Sequence, residues 1–431
     1  VEEIIKQLGI TALNEMQEAA LNTDPGKDLV LIAPTGSGKT LAYLLPLLNM
    51  LENPGAGTQA LIIVPSRELA LQIGQVFRSM KTRWKVSVCY GGHSVQIEKA
   101  RLKTAPDILI GTPGRLNYHL QKGHLRPESI RILILDEFDK SLEWGFQAEM
   151  EAIVYELSAL TRRVLVSATA LEKIPGFTGI RNPQKLLFQA NRQAAEKRTV
   201  QLVRGAARHK PELLFTLLCH LGDTRSLVFC NHREAVERLY TFLSGHGLDI
   251  GMFHGGKDQE EREKALIKFR NGTYRVLIAT DLAARGLDIE DMDNVIHYQL
   301  ADEQSYIHRN GRTARMHAEG KVFLVLTEEE EAPDFAAAGT LTLSPQQVLP
   351  QPTKWSTLYL SAGKEDKVSK GDVAGFLMKK GGLAKEELGR IDIKDKSSFA
   401  AVDKSKAEEL TDRLRNEKLK NKKVRMELDR R

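Results

Sequence analysis

Short apolar runs recur along the first half of this 431-residue chain, at Leu29–Ala33, Ala60–Val64, Lys85–Tyr90, Ile108–Gly111, Ile132–Leu135 and Val164–Ser167. Longer stretches with the periodicity of amphipathic helices separate them. Strands apolar on both faces, alternating with helices, predict a parallel sheet covered on both sides. The pattern then repeats, with strand candidates at Ser226–Cys230, Gly251–His254, Arg275–Thr280, Asn294–Tyr298 and Lys321–Leu326. Asn191–Arg198 is polar and charged and reads as a linker between two α/β domains.

The order changes after an acidic run, Glu328–Glu331, and a stretch carrying Pro345, Pro350 and Pro352 that reads as a stiff surface tether. Beyond it the pattern predicts strand Thr357–Ser361, helix Lys370–Lys380, strands Arg390–Lys394 and Phe399–Val402, helix Lys404–Asn416 and strand Val424–Leu428. A β-α-β-β-α-β order is that of a small ferredoxin-like α+β domain. The expected organisation is two tandem α/β domains over 1–190 and 191–345, a linker over 346–354 and the small domain over 355–431.

Polar motifs follow the predicted strands, where ligands bind in parallel sheets. The first is Ala33-Pro34-Thr35-Gly36-Ser37-Gly38-Lys39-Thr40, between a strand and an apolar helix. Its glycines let backbone N–H groups turn toward an anion at a helix N-terminus. Lys39 can reach β- and γ-phosphates, and the Thr40 hydroxyl can ligate Mg²⁺. Asp136-Glu137 closes the fifth strand. Alone, such a pair is ordinary helix-cap chemistry. Downstream of a phosphate loop it suits Mg²⁺ held through water by Asp136 and an attacking water handled by Glu137. In the second half, His308–Arg315 packs three arginines into eight positions, typical of a solvated or RNA-facing surface and also of fingers that stabilise a transferring phosphoryl group.

Composition narrows the class. Hydrophobic content of 42% and charged content of 27% are those of a globular protein, and no apolar run approaches the length of a membrane span. Cys89, Cys219 and Cys230 are an odd, widely spaced set, which fits free thiols in a reducing cytosol. Residues 355–431 hold 20 basic and 14 acidic side chains, leaving 42 of each before them, so the whole net charge of +6 lies in the tail. A basic tail fits a nucleic-acid partner.

Over residues 9–327 the chain resembles the two-domain core of DEAD-box RNA helicases. Gly9-Ile10 with Gln17, Ala33–Thr40 (the family's own phosphate loop also opens on Ala), Pro65–Ala70, Gly91-Gly92, Thr112–Arg115, Asp136–Asp139, Ser167–Thr169, Gln259–Arg262, Thr280–Asp288 and His308–Arg315 occur in that family's order. The resemblance implies two RecA-like domains. It implies that Gln17 reads adenine, that residues Ala33 to Thr40 hold ATP phosphates and Mg²⁺ with Asp136, and that Asp288 touches the ribose. Glu137 would act in catalysis with Lys39, and Arg312 and Arg315 would be the fingers. Ser167, Thr169 and Asp139 would couple nucleotide to RNA. Arg67, Gly92, Thr112, Gly114, Arg115, Arg262 and Thr280 would grip the RNA backbone, without regard to sequence. Closing on ATP would bend one bound strand and split a short duplex locally.

Two positions depart from the family. Phe138 stands where it has Ala, a bulky side chain that either fits a slightly enlarged pocket or disturbs the link from Asp139 to the coupling residues. The aromatic residue expected upstream of Gln17 would fall before Val1. The tail, with Ser361–Lys364, Gly371-Asp372 and Gly389–Ile393, resembles the C-terminal RRM-like domain of bacterial DbpA-type members, which bind structured large-subunit ribosomal RNA. Its aromatic signature is thin, with Tyr359 on the first strand and Phe399 on the third. Lys418, Lys420, Lys422, Lys423 and Arg425 are therefore the expected phosphate contacts. The reading is an ATP-dependent RNA helicase acting on ribosomal RNA and pre-ribosomal particles, cytoplasmic and monomeric, with ATP and Mg²⁺ as cofactors and no membrane partner. The alternatives are a cold-shock-type general helicase, an RNA-binding scaffold with weakened ATPase, and a DNA-unwinding enzyme.

Overall fold

The computed structural model describes residues 1–429 apart from 93, 172, 189–197, 207–208, 282–291, 314–319, 337–338, 345–347 and 421. The described residues form two compact units, 1–188 and 198–429.

In the first unit, α1 (Glu2–Leu8) and α2 (Glu15–Leu21) precede a sheet of β1 (Leu29–Ile32), β2 (Ala60–Ile63), β3 (Val86–Cys89), β4 (Ile108–Gly111), β5 (Ile132–Leu135), β6 (Arg162–Ser167) and β7 (Gln184–Leu187). Every pairing is parallel, in the order β3-β4-β2-β5-β6-β1-β7. The connecting helices are α3 (Lys39–Met50), α4 (Arg67–Ser79), α5 (Val95–Leu102), α6 (Pro113–Gln121), α7 (Phe138–Glu143) and α8 (Gln147–Glu156). β2, β4 and β5 are buried at every position. Neighbouring residues of one strand supply different cores: Ile62 and Ile134 join the cluster with Leu44 and Ile73, whereas Ile63 and Leu135 join the one with Leu116 and Met150. The pleat sends alternate side chains to opposite faces, so both faces need helices. β7 lay outside the expected strands. Its positions alternate between half-buried and exposed at the sheet edge, and its sequence lacks the fully apolar run of a central strand.

The second unit repeats the scheme with β8 (Arg198–Gly205), β9 (Ser226–Cys230), β10 (Ile250–Phe253), β11 (Val276–Thr280), β12 (Asn294–His297), β13 (Gly320–Thr327) and β14 (Gly339–Thr340). These are again parallel, ordered β10-β11-β9-β12-β13-β8-β14. Its helices are α9 (Lys210–Leu221), α10 (Arg233–Gly245), α11 (Gln259–Arg270) and α12 (Glu303–Asn310). β8 corrects the sequence reading: Arg198, expected to end a linker, opens an eight-residue strand registered along the whole of β13. Residues 191–197 of that expected linker lie outside the described residues.

The C-terminal part folds as β15 (Trp355–Leu360), α13 (Lys370–Gly375, continued by a π turn Phe376–Lys380), β16 (Leu388–Ile393), β17 (Ser398–Asp403), α14 (Ala407–Leu414), the hairpin of β18 (Lys418–Leu419) with β19 (Lys422–Lys423), and β20 (Met426–Leu428). The antiparallel order β16-β17-β15-β20 is ferredoxin-like. The hairpin was not expected; it shortens the last strand at its start.

Leu358 and Leu360 of β15 face the small domain's own core with Val373, Leu377 and Leu410. The other face of β15 meets the second sheet domain. The Thr357 hydroxyl accepts from Asn271 Nδ2 at 2.9 Å and lies 2.8 Å from Thr273 Oγ1. Trp355 packs so close to Gly272 that a Cβ there would meet its ring at 3.0 Å. The Lys268 ammonium pairs with Asp429 at 2.8 Å. The expected tether is also partly tied down. Thr353 is buried and its hydroxyl reaches Asp249 Oδ2 and the Thr273 carbonyl, each at 3.2 Å, whereas Val348 and Leu349 are exposed.

Candidate nucleotide and RNA sites

Residues Ala33 to Thr40 join β1 to α3. Gly36 and Gly38 have φ of 80° and 88°, the left-handed region that favours glycine. A Cβ on Gly38 would also fall 2.5 Å from Gln17 Nε2. The loop curls on itself: Lys39 Nζ donates to the Ala33 carbonyl at 2.6 Å, and the Ser37 hydroxyl to the Pro34 carbonyl at 2.7 Å. α2 braces it from outside. Asn14 Nδ2 donates to Ser37 O at 2.9 Å and Gln17 Nε2 to Gly38 O at 3.2 Å, while Gln17 Oε1 accepts from Asn14 N. Each end of the Gln17 amide thus makes one bond to the protein, which fixes its orientation and leaves a second donor and a second acceptor position for adenine.

Asp136 follows β5 directly and is buried beside the loop. Its Oδ2 accepts from the Tyr43 hydroxyl at 2.9 Å and its Oδ1 from Glu137 N at 2.8 Å. Burial pushes the Asp136 carboxyl above its ordinary value, and the Lys39 ammonium and the Tyr43 bond pull it back. Burial and then the Asp136 charge hold the Tyr43 phenol well above its usual range, so it stays a donor. The Thr40 side chain opposes part of this rise, so Thr40 and the Asp136 carboxylate both lie beside the Tyr43 phenol. An all-oxygen donor set fits a hard cation such as Mg²⁺. Glu137 follows at φ 46° and ψ 48°, a left-handed conformation rare for a side-chain-bearing residue and common at working sites.

A chain of hydrogen bonds links the phosphate loop to the acidic motif. Ala33 N donates to Ser167 O at 3.1 Å, Ser167 Oγ to Thr169 O at 2.7 Å, and Thr169 Oγ1 to Asp139 Oδ2 at 2.9 Å. Phe138 leaves this chain intact. It is fully buried, in the cluster that holds Leu135, Met150 and Ile153, with the Phe177 ring centroid at 6.2 Å.

The RNA candidates of the first unit gather at the C-terminal ends of β2, β3 and β4. Arg67 opens α4, and its guanidinium lies over Gly91 and Gly92, where a Gly92 Cβ would come within 2.6 Å of Nη1. Thr112 caps α6, Pro113 and Gly114 form its first turn, and Arg115 Nε donates to the Tyr90 carbonyl at 3.1 Å. In the second unit Arg262 lies on α11, donating to Gln259 Oε1 at 2.7 Å, and Thr280 ends β11 in burial. Arg315 and Asp288 lie outside the described residues.

Two groups of basic residues are packed in ways that the sequence did not show. Arg309 and Arg312 are not a solvated surface: they are 1% and 5% exposed. Most of the expected tail contacts are engaged by acids of their own chain. Lys420 pairs with Asp372 at 2.8 Å, Lys422 with Asp366, and Arg425 with Glu427 at 2.7 Å. Lys423 is exposed. The Lys420 bond, ahead of those from Ser369, holds the Asp372 carboxyl down at about 2.

Comparison with known proteins decides the family. The DEAD/DEAH box helicase profile matches residues 14–175, the helicase conserved C-terminal domain 209–317, and the DbpA RNA-binding domain 357–428. The chain is 31% identical to the ATP-dependent RNA helicase DbpA of Escherichia coli, over 98% of this chain and 96% of that protein. It belongs to the DEAD-box helicase family. The Bacillus subtilis DbpA is 30% identical with the same coverage. A structure of Saccharomyces cerevisiae Dbp5 bound to RNA and ADP BeF3 superimposes with a TM-score of 0.68 at 26% identity, over 76% of this chain and 88% of that one. This chain is accordingly an ATP-dependent RNA helicase of DEAD-box type with a DbpA-type RNA-binding domain. Among the described residues, no helix is long and apolar enough to cross a membrane.

Sequence reading missed several residues of this DEAD-box site. Tyr43 passes as one more apolar position of α3, yet it holds Asp136. Arg309 clamps Asp281 through two bonds of 2.7 and 2.5 Å and also reaches Asn231 Oδ1 and the Gln299 carbonyl, each at 2.8 Å. It thereby fastens α12 to the ends of β9, β11 and β12. The density of arginine was visible, but not which of them turned inward.

Proposed function

We propose that this helicase couples ATP hydrolysis to local remodelling of structured RNA, with large-subunit ribosomal RNA in pre-ribosomal particles as its substrate. The observation that supports the coupling is the bonded chain from Ala33 through Ser167 and Thr169 to Asp139, a route by which a change at the phosphate loop would reach the acidic motif. Gln17, Ala33 to Thr40 and Asp136 would hold the nucleotide, and Glu137 would orient the attacking water. Arg312, with Arg315 and Asp288, would complete the nucleotide's contacts. Thr40 and Asp136 would hold Mg²⁺, which supplies charge neutralisation at the phosphates. Arg67, Gly92, Thr112, Gly114, Arg115, Arg262 and Thr280 would grip the sugar-phosphate backbone, and the C-terminal domain would supply the target preference. The domain limits 1–190, 191–345 and 355–431, a monomer and a cytoplasmic site of action belong to the same proposal.

The packing of the C-terminal domain supports one route by which it would meet RNA. In an RNA-recognition fold the open sheet face stacks bases. Here Trp355 and Thr357 on that face rest on the second sheet domain, and Tyr359 lies against Phe399 with ring centroids 5.5 Å apart. The lysine hairpin remains for phosphate contact, with Lys420 and Lys422 exchanging carboxylates for phosphates. The test is ATP hydrolysis with ribosomal RNA, unrelated RNA or none, for the intact chain and for one ending at Thr353. Strong stimulation by ribosomal RNA that truncation abolishes, with weak general stimulation retained, is expected. Equal stimulation by every RNA refutes the ribosomal target, and no hydrolysis by folded protein refutes the enzyme.

A further inference from the structure

Glu98 on α5 is a fully buried carboxylate that the nucleotide chemistry does not use. A buried charge is costly unless several donors meet it, and three do. Its Oε1 accepts from Tyr90 N at 3.1 Å, and its Oε2 lies 2.8 Å from His119 Nε2 and 3.3 Å from Arg115 Nε. Tyr90 is the residue before Gly91-Gly92, and its carbonyl accepts from the same Arg115 Nε at 3.1 Å. Both backbone groups at the root of the glycine loop are therefore fastened, one to Glu98 and the other to Arg115, and the two fasteners touch.

We infer that Glu98, held by His119, is a positioning residue for RNA binding, fixing the Gly91-Gly92 loop and the Arg115 guanidinium as one rigid element. This rests on the reading above that Gly92 and Arg115 grip the RNA backbone. The loop leaves β3 and Arg115 leaves β4, neighbouring strands whose ends hydrogen bonding alone does not lock at the side-chain level. His119 is itself oriented: its Nδ1 lies 3.1 Å from His124 Nδ1.

Cys89 Sγ completes a cluster in which thiol, carboxylate and imidazole ligand atoms lie within 4.8 Å of one another. A metal ion is the poorer account of it. Burial, then the Glu98 charge, pushes the Cys89 thiol up to about 12, and Arg115 already supplies the positive charge. The cluster works as a hydrogen-bonded brace.

The test measures ATPase rate against the concentration of a single-stranded oligoribonucleotide for the full chain and for Glu98→Ala, Glu98→Gln and Arg115→Ala. Loss of charge-assisted hydrogen bonds predicts that Glu98→Ala raises the RNA concentration for half-maximal stimulation about tenfold or more. Saturated kcat and the KM for ATP should stay within about twofold. Glu98→Gln, which keeps an acceptor for Tyr90 N–H and is the variant to rely on should Glu98→Ala not fold, should recover part of the affinity. Adding Glu98→Ala to Arg115→Ala should weaken RNA binding little further. An unchanged RNA requirement in Glu98→Ala, with Arg115→Ala impaired, overturns the positioning role. A kcat that falls in step with RNA affinity marks a merely structural residue and also overturns it. An unimpaired Arg115→Ala overturns the underlying reading and this one with it.

Discussion

Phe138→Ala restores the residue that the family carries, yet it should destabilise this protein. The Phe138 side chain is 0% exposed, shares its cluster with Leu135, Met150, Ile153 and Leu165, and has the Phe177 ring centroid 6.2 Å away. Truncating a buried Phe to Ala costs about 3–5 kcal/mol in transfer and cavity terms. At about 2–4 °C per kcal/mol for a domain of this size, the first unit's Tm should fall by about 10 °C. Scanning calorimetry of the intact chain, with and without ATP, reads it. The same structure sets a second expectation. Thr169 donates to Asp139 at 2.9 Å with Phe138 in place, so this bond does not require Ala at that position. Below its melting temperature Phe138→Ala should therefore keep RNA-stimulated turnover within about twofold of the parent. A variant as stable as the parent would refute the packing argument. One that is much more strongly stimulated by RNA would show that Phe138 does strain the link.

Three further expectations can be checked separately. Tyr43→Phe removes a donor to the buried Asp136 carboxylate; ATPase titrations with Mg²⁺ should show a several-fold higher requirement, about the worth of one hydrogen bond to a charged group, and an unchanged titration would argue against Asp136 as a metal ligand. His297 is fully buried and held down to about 3, first by burial and then by the Arg309 guanidinium. Its folded-state value lies below its unfolded value of about 6.5, so its contribution is complete above that pH and is lost as pH falls toward 3; between pH 7 and pH 5 the second unit should lose about 2 kcal/mol, a loss that His297→Gln should abolish in pH-dependent melts. Lys268→Ala breaks the pair with Asp429 at the base of the C-terminal domain, which at the low end of about 3–5 kcal/mol should loosen that domain; limited proteolysis should then cut faster around Val348-Leu349, and an unaltered digest would mean the pair does not hold the domain in place.

The chain's own order of residues determined the chemistry and most of the strands. Phosphate binding needs glycines, a lysine and a hydroxyl within one strand-turn-helix, and Ala33 to Thr40 carries them all locally. Central strands such as Ile132–Leu135 are buried on both faces, so an unbroken apolar run marks them. Edge elements obey no such rule. β7 and β8 became strands because β1 and β13 offered them partners, and their polar residues concealed this. The braces around the motifs were equally hidden. Tyr43 and Asp136 are 93 positions apart, and Glu98 lies 21 positions from His119. Crossover connections in a parallel sheet bring such distant residues together at the strand ends. A side chain's spacing in the chain then says nothing about its partner. Charge was the most misleading signal: sequence showed where Arg309, Lys420 and Lys422 were, but only packing decided that one would be buried against Asp281 and the others paired with Asp372 and Asp366. Apolar burial is written in the periodicity of a segment, whereas an ion pair exists only once two segments have met.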